Sequence, residues 1–100
     1  MDIVYASLAR RPTAGALPPG ETAEVLGALW AHATPDDGLE YASCSPEPDR
    51  VDLLLFLLTR SGDFTAASDP VHRTHALLQR SHQASPLLQT RYLPPQLTTA

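Results

Sequence analysis

Apolar residues occupy both parities of residues 51–58: Val51, Leu53, Leu55 and Leu57 alternate with Leu54, Phe56 and Leu58, and Asp52 alone interrupts them. A half-exposed strand alternates apolar with polar positions, whereas a strand covered on both faces has no need to. A proline-bearing turn at residues 45–50 precedes the run, and a stretch containing Gly62 follows it. That length and those flanks fit a strand better than a buried helix. The pattern predicts a central strand over residues 51–59.

The remaining elements fall around it. Residues 3–9 read as a strand with Val4, Ala6 and Leu8 on one face and Ile3, Tyr5, Ser7 and Ala9 on the other. Arg10, Arg11 and Pro12 end it, and residues 13–20 form a Gly/Pro loop. A first helix is expected over residues 21–33, with Thr22, Val25, Leu26, Leu29 and Ala33 on its buried face, Trp30 at the edge, and Glu21, Glu24 and His32 opposite. Pro35 stops it.

Residues 39–45 form a second strand, with Leu39, Tyr41 and Ser43 on one face and Glu40, Ala42 and Cys44 on the other. Residues 60–68 are a loop. Asp69 or Ser68 caps a second helix that Pro70 opens and that runs to Ala84, its apolar face made of Val71, Thr74, Leu77, Leu78 and Ser81. Ser85 and Pro86 repeat the cap-plus-proline pattern for one further turn. Residues 90–93 are expected as a short last strand. Pro94 and Pro95 end order, leaving a disordered tail at 96–100.

The resulting β-α-β-β-α-β order is that of the ferredoxin-like sandwich, an α+β fold whose antiparallel sheet carries two helices on one face. At 100 residues, one domain over residues 1–95 accounts for all of it. Its first and third strands are central, and here they are the most apolar. The helices leave one sheet face bare, so a sheet-to-sheet homodimer is the expected cover.

Composition removes several functions. The net charge of −4 arises from eleven carboxylates against seven arginines, with no lysine, so the basic footprint of a nucleic-acid binder is missing. Aromatics on an open sheet face resemble those of RNA-recognition domains, but the basic residues of such domains are absent. The lack of Lys and Asn beside abundant Ala, Leu, Pro and Arg reads as the coding bias of a high-G+C, actinobacterial genome. Acids crowd residues 1–59, while four arginines and three histidines crowd residues 60–100. Chance accounts for this, or the two ends dock on each other across a homodimer.

Cys44 is the one cysteine, which excludes an intrachain disulfide and fits a reducing cytoplasm. The first residues lack a signal-peptide pattern. The apolar run is far short of the roughly 20 residues that span a bilayer. The expectation is therefore a cytoplasmic protein with no membrane association.

Candidate chemistry is sparse. His72, His75 and His82 share the second helix, but His75 and His82 stand about 10 Å apart along its axis, too far to hold one metal. No metal and no cofactor are expected. Cys44 reads as a small core residue. The chain has no dinucleotide-binding glycine motif, phosphate loop, zinc-protease motif or nucleophile elbow.

The expected function is a non-catalytic interaction module that self-associates through its sheet and binds a partner protein or small hydrophobic ligand. Its binding residues would be Tyr5, Ser7, Tyr41 and Ser43, with Leu55 and Phe56 from the two parities of the central strand. The alternative is a cofactor-independent enzyme of the dimeric α+β barrel type acting on a hydrophobic metabolite, with His75, His72 and Tyr41 orienting the substrate or moving a proton.

Overall fold

A computed structural model describes residues 1–12, 20–59 and 69–95. Strands β1 (Asp2–Ala9), β2 (Leu39–Pro46) and β3 (Arg50–Leu57) form one antiparallel sheet in the order β1-β3-β2. Helices α1 (Glu21–His32), α2 (Pro70–Ala84) and α3 (Pro86–Arg91) accompany it, with a short 3-10 turn at Pro35–Asp37. The fold is thus α+β, and the doubly apolar run is the middle strand. Among the described residues no helix is long and apolar enough to cross a membrane.

Alternation along β3 divides its side chains cleanly. Val51, Leu53, Leu55 and Leu57 are fully buried, whereas Asp52, Leu54 and Phe56 are half-buried on the other face. The buried set packs with Val4 and Leu8 of β1, Ala42 of β2, Val25 and Leu29 of α1, Leu77 and Leu78 of α2, and Leu88 and Tyr92. The start of α2 follows the expected capping chemistry: the Asp69 carboxylate accepts from the Val71 amide at 2.8 Å, and Pro70 occupies the first turn.

The expected strand at 90–93 is not formed. Ser85 Oγ accepts from the Leu88 amide at 3.3 Å and Pro86 opens a helix, so α3 takes the chain to Arg91. Among the described residues, pairing on this side of β1 is one bridge between Arg10 and Tyr92. It is flanked by Leu93 N donating to Ala9 O and Arg11 N donating to Arg91 O, both at 2.9 Å. Pro94 and Pro95, which follow, carry no amide hydrogen to donate to a ladder. The described elements therefore run β-α-β-β-α-α, without the fourth strand of the expected order.

Side-chain assignments also change. The register shifts between Leu39 and Tyr41, which turns Leu39 onto the core instead of onto Tyr41's face. Val71, expected in the core, is 45% exposed, while Arg73 and His82 of the same helix are buried. Glu21, expected in solvent, is 3% exposed. The expected loops at 13–20 and 60–68, apart from Gly20, and the tail at 96–100 lie outside the described residues.

Glu21 is buried because a set of partners converges on it. Arg10 grips its carboxylate with both terminal nitrogens, Nη1 to Oε2 and, at 2.8 Å, Nη2 to Oε1. Arg10 Nε donates to Glu47 O in the β2–β3 turn at 2.8 Å, and the Tyr92 hydroxyl donates to Glu21 Oε2. The guanidinium also lies 5.8 Å from the centre of the Tyr92 ring. One clasp thereby joins the end of β1, the start of α1, the β2–β3 turn and the segment after α3. The Arg10 hydrogen bonds hold the Glu21 carboxyl below its ordinary range against the opposing effect of burial, and the Tyr92 hydroxyl adds to this. Burial and the adjacent carboxylate push the Tyr92 phenol upward.

Other ion pairs close the uneven charge distribution within the chain. Asp37 Oδ2 accepts from Arg80 and from the Thr34 amide, the latter at 2.7 Å. Arg91 pairs with Glu24, and Arg73 Nη2 lies 3.8 Å from Asp2. Arg73 also donates to the carbonyls of Asp37 and Leu58 at 3.1 Å. Its guanidinium crosses Gly38, where φ is +69° and a Cβ would stand 2.8 Å from Arg73 Nη1. C-terminal arginines thus meet N-terminal acids inside one protomer, with no docking across a dimer required.

A folded-state carboxyl held below its unfolded value contributes stability above about pH 4.3 and loses it as the pH falls through the folded value. We expect the melting temperature of the native chain to fall more steeply between about pH 6 and about pH 3 than that of Glu21→Gln. At neutral pH the variant should be less stable by about 3 kcal/mol, since it leaves Arg10 buried without its counter-charge. Parallel melting curves for the two proteins would contradict the clasp.

Candidate functional site

The sheet face turned away from the helices is built by the same alternation that fills the core. It carries Ile3, Tyr5 and Ser7 from β1, Asp52, Leu54 and Phe56 from β3, and Tyr41, Ser43 and Ser45 from β2. The register stacks these into three rows across the strands: Ile3–Phe56–Tyr41, Tyr5–Leu54–Ser43 and Ser7–Asp52–Ser45. Polarity therefore grades along the sheet from an apolar row to a hydroxyl- and carboxylate-bearing row.

The apolar end is strongly exposed. Ile3, Tyr5 and Tyr41 each present about 60% of their surface, and Met1 and Leu58 are exposed at the same end of the sheet. Tyr41 and Phe56 meet edge to face, with ring centres 5.6 Å apart and an interplanar angle of 65°. A contiguous apolar patch on adjacent strands, as opposed to scattered single residues, is the usual mark of an interaction surface.

The polar end neutralises itself. Asp52 Oδ1 accepts from Arg50 Nε at 2.8 Å and from Ser7 Oγ at 3.0 Å, and Arg50 Nη1 donates to Asp49 Oδ1 at 3.0 Å. Arg50 above all, with the Tyr5 and Ser7 hydroxyls adding, holds the Asp52 carboxyl below its ordinary range. The carboxylate is engaged as an ion, which suits a structural acceptor better than a proton donor.

Tyr5, Ser7, Tyr41, Ser43 and Phe56 thus share one face. Leu55 does not join them: it is wholly buried on the helix side, and Leu54 takes its place on the open face. Asp52, the sole polar residue of the apolar run, shares the parity of Leu54 and Phe56, and that was the signal marking this parity as the open one. The Glu21 clasp had no comparable signal, because a glutamate in the first turn of a helix reads equally well as a solvated dipole partner.

The histidines stand elsewhere. His72 is exposed and His75 half-buried on α2, which packs on the opposite side of the sheet from Tyr41. The chain does not bring these three together within a protomer. His82 is buried, with Nε2 3.0 Å from the carbonyl oxygen of Tyr92. Among the described residues no group of three or more His, Cys, Asp or Glu side chains could hold a metal ion. Cys44 packs half-buried against the core, and burial pushes its thiol up, away from the reactive thiolate.

Comparison with protein-family models, curated proteins and solved structures finds no match, so the functional reading rests on this geometry.

The two parities of β3 make a direct check. Leu55→Arg should abolish cooperative unfolding, because it drives a charge into the core. Leu54→Arg should retain cooperative unfolding, as followed by thermal denaturation in the far ultraviolet. Equal loss in both would contradict the assignment of faces.

Proposed function

We propose that the chain is a small non-catalytic interaction module that self-associates through its sheet and holds a partner protein or a small hydrophobic ligand on the open face. The observation that carries this reading is the exposed apolar row of Ile3, Phe56 and Tyr41, continued by Tyr5 and Leu54, on a sheet whose other face is sealed by helices. A chain of 100 residues has little core to spare, so leaving such a surface in water is costly unless something covers it. The negative net charge and the internal pairing of arginines favour protein or an uncharged ligand over nucleic acid.

We read the fold as a ferredoxin-like sandwich in which the fourth strand is reduced to the Arg10–Tyr92 bridge. The order β1-β3-β2, with that bridge on the outer side of β1, supports this reading. The cofactor-free enzyme draws no support from the described residues, since His72 and His75 lie across the sheet from Tyr41.

Sedimentation or light scattering over a concentration series tests the self-association. A dimer that dissociates on dilution is the expected result. A monomer at every concentration from micromolar upward would overturn it.

A further inference from the structure

Among the described residues, no strand pairs with the outer edge of β1 between Ile3 and Ser7. Arg10 N donates to Asp49 O on the β3 side, whereas Ala9 O and Arg11 N are engaged on the outer side by Leu93 and Arg91. Along a strand, the amide and carbonyl of one residue point to the same edge and alternate with those of the next. Val4, Ala6 and Leu8 therefore direct theirs to β3, while Ile3, Tyr5 and Ser7 direct theirs outward. Among the described residues none of these outward groups has a backbone partner.

This edge is also unprotected. Between Ile3 and Ala9 there is no proline, no charge and no bulge. The opposite edge of the sheet, β2, carries Glu40, an irregular register beside it and Pro46, all devices that discourage strand addition.

Helix α2 packs against β1. It runs alongside β1, from Arg73 near Asp2 to His82 at the Tyr92 carbonyl beside Arg10. Val71, His75, Leu78 and His82 lie within about 60° of one another around α2, and His82 fixes that stripe on the outer side of β1. Leu78 lies in the core, His82 is buried against the Tyr92 carbonyl, and His75 is half-buried. Val71, in the first turn of α2, is 45% exposed.

We propose that β1 of a second copy pairs with this edge of β1, antiparallel about a two-fold axis at Tyr5. The inference rests on the self-association reading and names its mode. The axis sets Tyr5 opposite the partner's Tyr5, and Ile3 opposite the partner's Ser7. Each such pair exchanges two backbone hydrogen bonds. Every outward amide and carbonyl of Ile3, Tyr5 and Ser7 is then used, on both copies. No charged side chain lies between Ile3 and Ala9, so no like charges are opposed. Two three-stranded sheets become one continuous sheet, and the two open faces become one.

Proline at position 5 removes the outward amide at the axis and leaves the β1–β3 ladder intact, so Tyr5→Pro should weaken the dimer by about a hundredfold. Phe56→Arg, on the central strand away from the edge, should leave it a dimer. Amide hydrogen exchange on the native chain gives a readout independent of any variant. The Ile3, Tyr5 and Ser7 amides should slow by about tenfold or more as the protein is concentrated into the dimer range. A dimer lost in Phe56→Arg, with those amides still fast, would mean pairing face to face: the edge inference would fall and the self-association reading would stand. Slow exchange of those amides in a dilute monomer would mean the chain covers its own edge, which also overturns the inference. A native chain that never dimerises overturns both.

Discussion

The Glu21 carboxylate cannot be neutral and idle in the place it occupies, and burying it as an ion requires its counter-charge to be built in. Arg10 supplies that charge through two parallel hydrogen bonds, and Tyr92 supplies a third donor. Meeting this requirement fixes much else. Arg10 must stand at the end of β1 with its Nε on the β2–β3 turn, α1 must begin at Glu21, and Tyr92 must return to the same point from the far end of the chain. His82 then bonds the Tyr92 carbonyl and secures α2 over β1. Removing either half of a buried pair leaves the other half desolvated, and this makes the clasp a constraint on the whole fold.

The clasp also explains where the sheet stops. Tyr92 reaches β1 at Arg10 because its hydroxyl is anchored on Glu21, and Pro94 and Pro95, which follow, have no amide hydrogen to donate. Among the described residues the sheet has a blunted edge at β2 and an unpaired edge at β1, beside an open face whose apolar row reaches that same edge through Ile3 and Tyr5. Edge and face are contiguous, so a protein that pairs at the edge joins two apolar faces instead of hiding them. That arrangement suits a module whose assembly creates its binding surface.

Legibility in the sequence followed the physics of each signal. The central position of residues 51–58 was readable because a strand apolar at both parities has only one comfortable place. The face of β1 was readable from Val4, Ala6 and Leu8, and the start of α2 from Asp69 and Pro70. The fate of Leu39 was not, since it depends on a register shift that no local residue announces. The last strand at 90–93 failed because Ser85 and Pro86 start a helix that runs through Thr90 and Arg91 before any pairing partner is met. Of the expected site, alternation placed Tyr5, Ser7, Tyr41 and Ser43 on one face; the central strand was offered at both parities, and Phe56 joins that face with Leu54 while Leu55 lies in the core.

If two copies meet along β1, Tyr5 of one copy faces Tyr5 of the other. Oxidative cross-linking of Tyr5→Cys in a Cys44→Ser background measures this most directly. Residues paired across an antiparallel two-fold have Cα atoms about 5.5 Å apart, within the range a disulfide spans. The account predicts a covalent dimer from Tyr5→Cys and none from Phe56→Cys in the same background. A dimer from Phe56→Cys with none from Tyr5→Cys would contradict it.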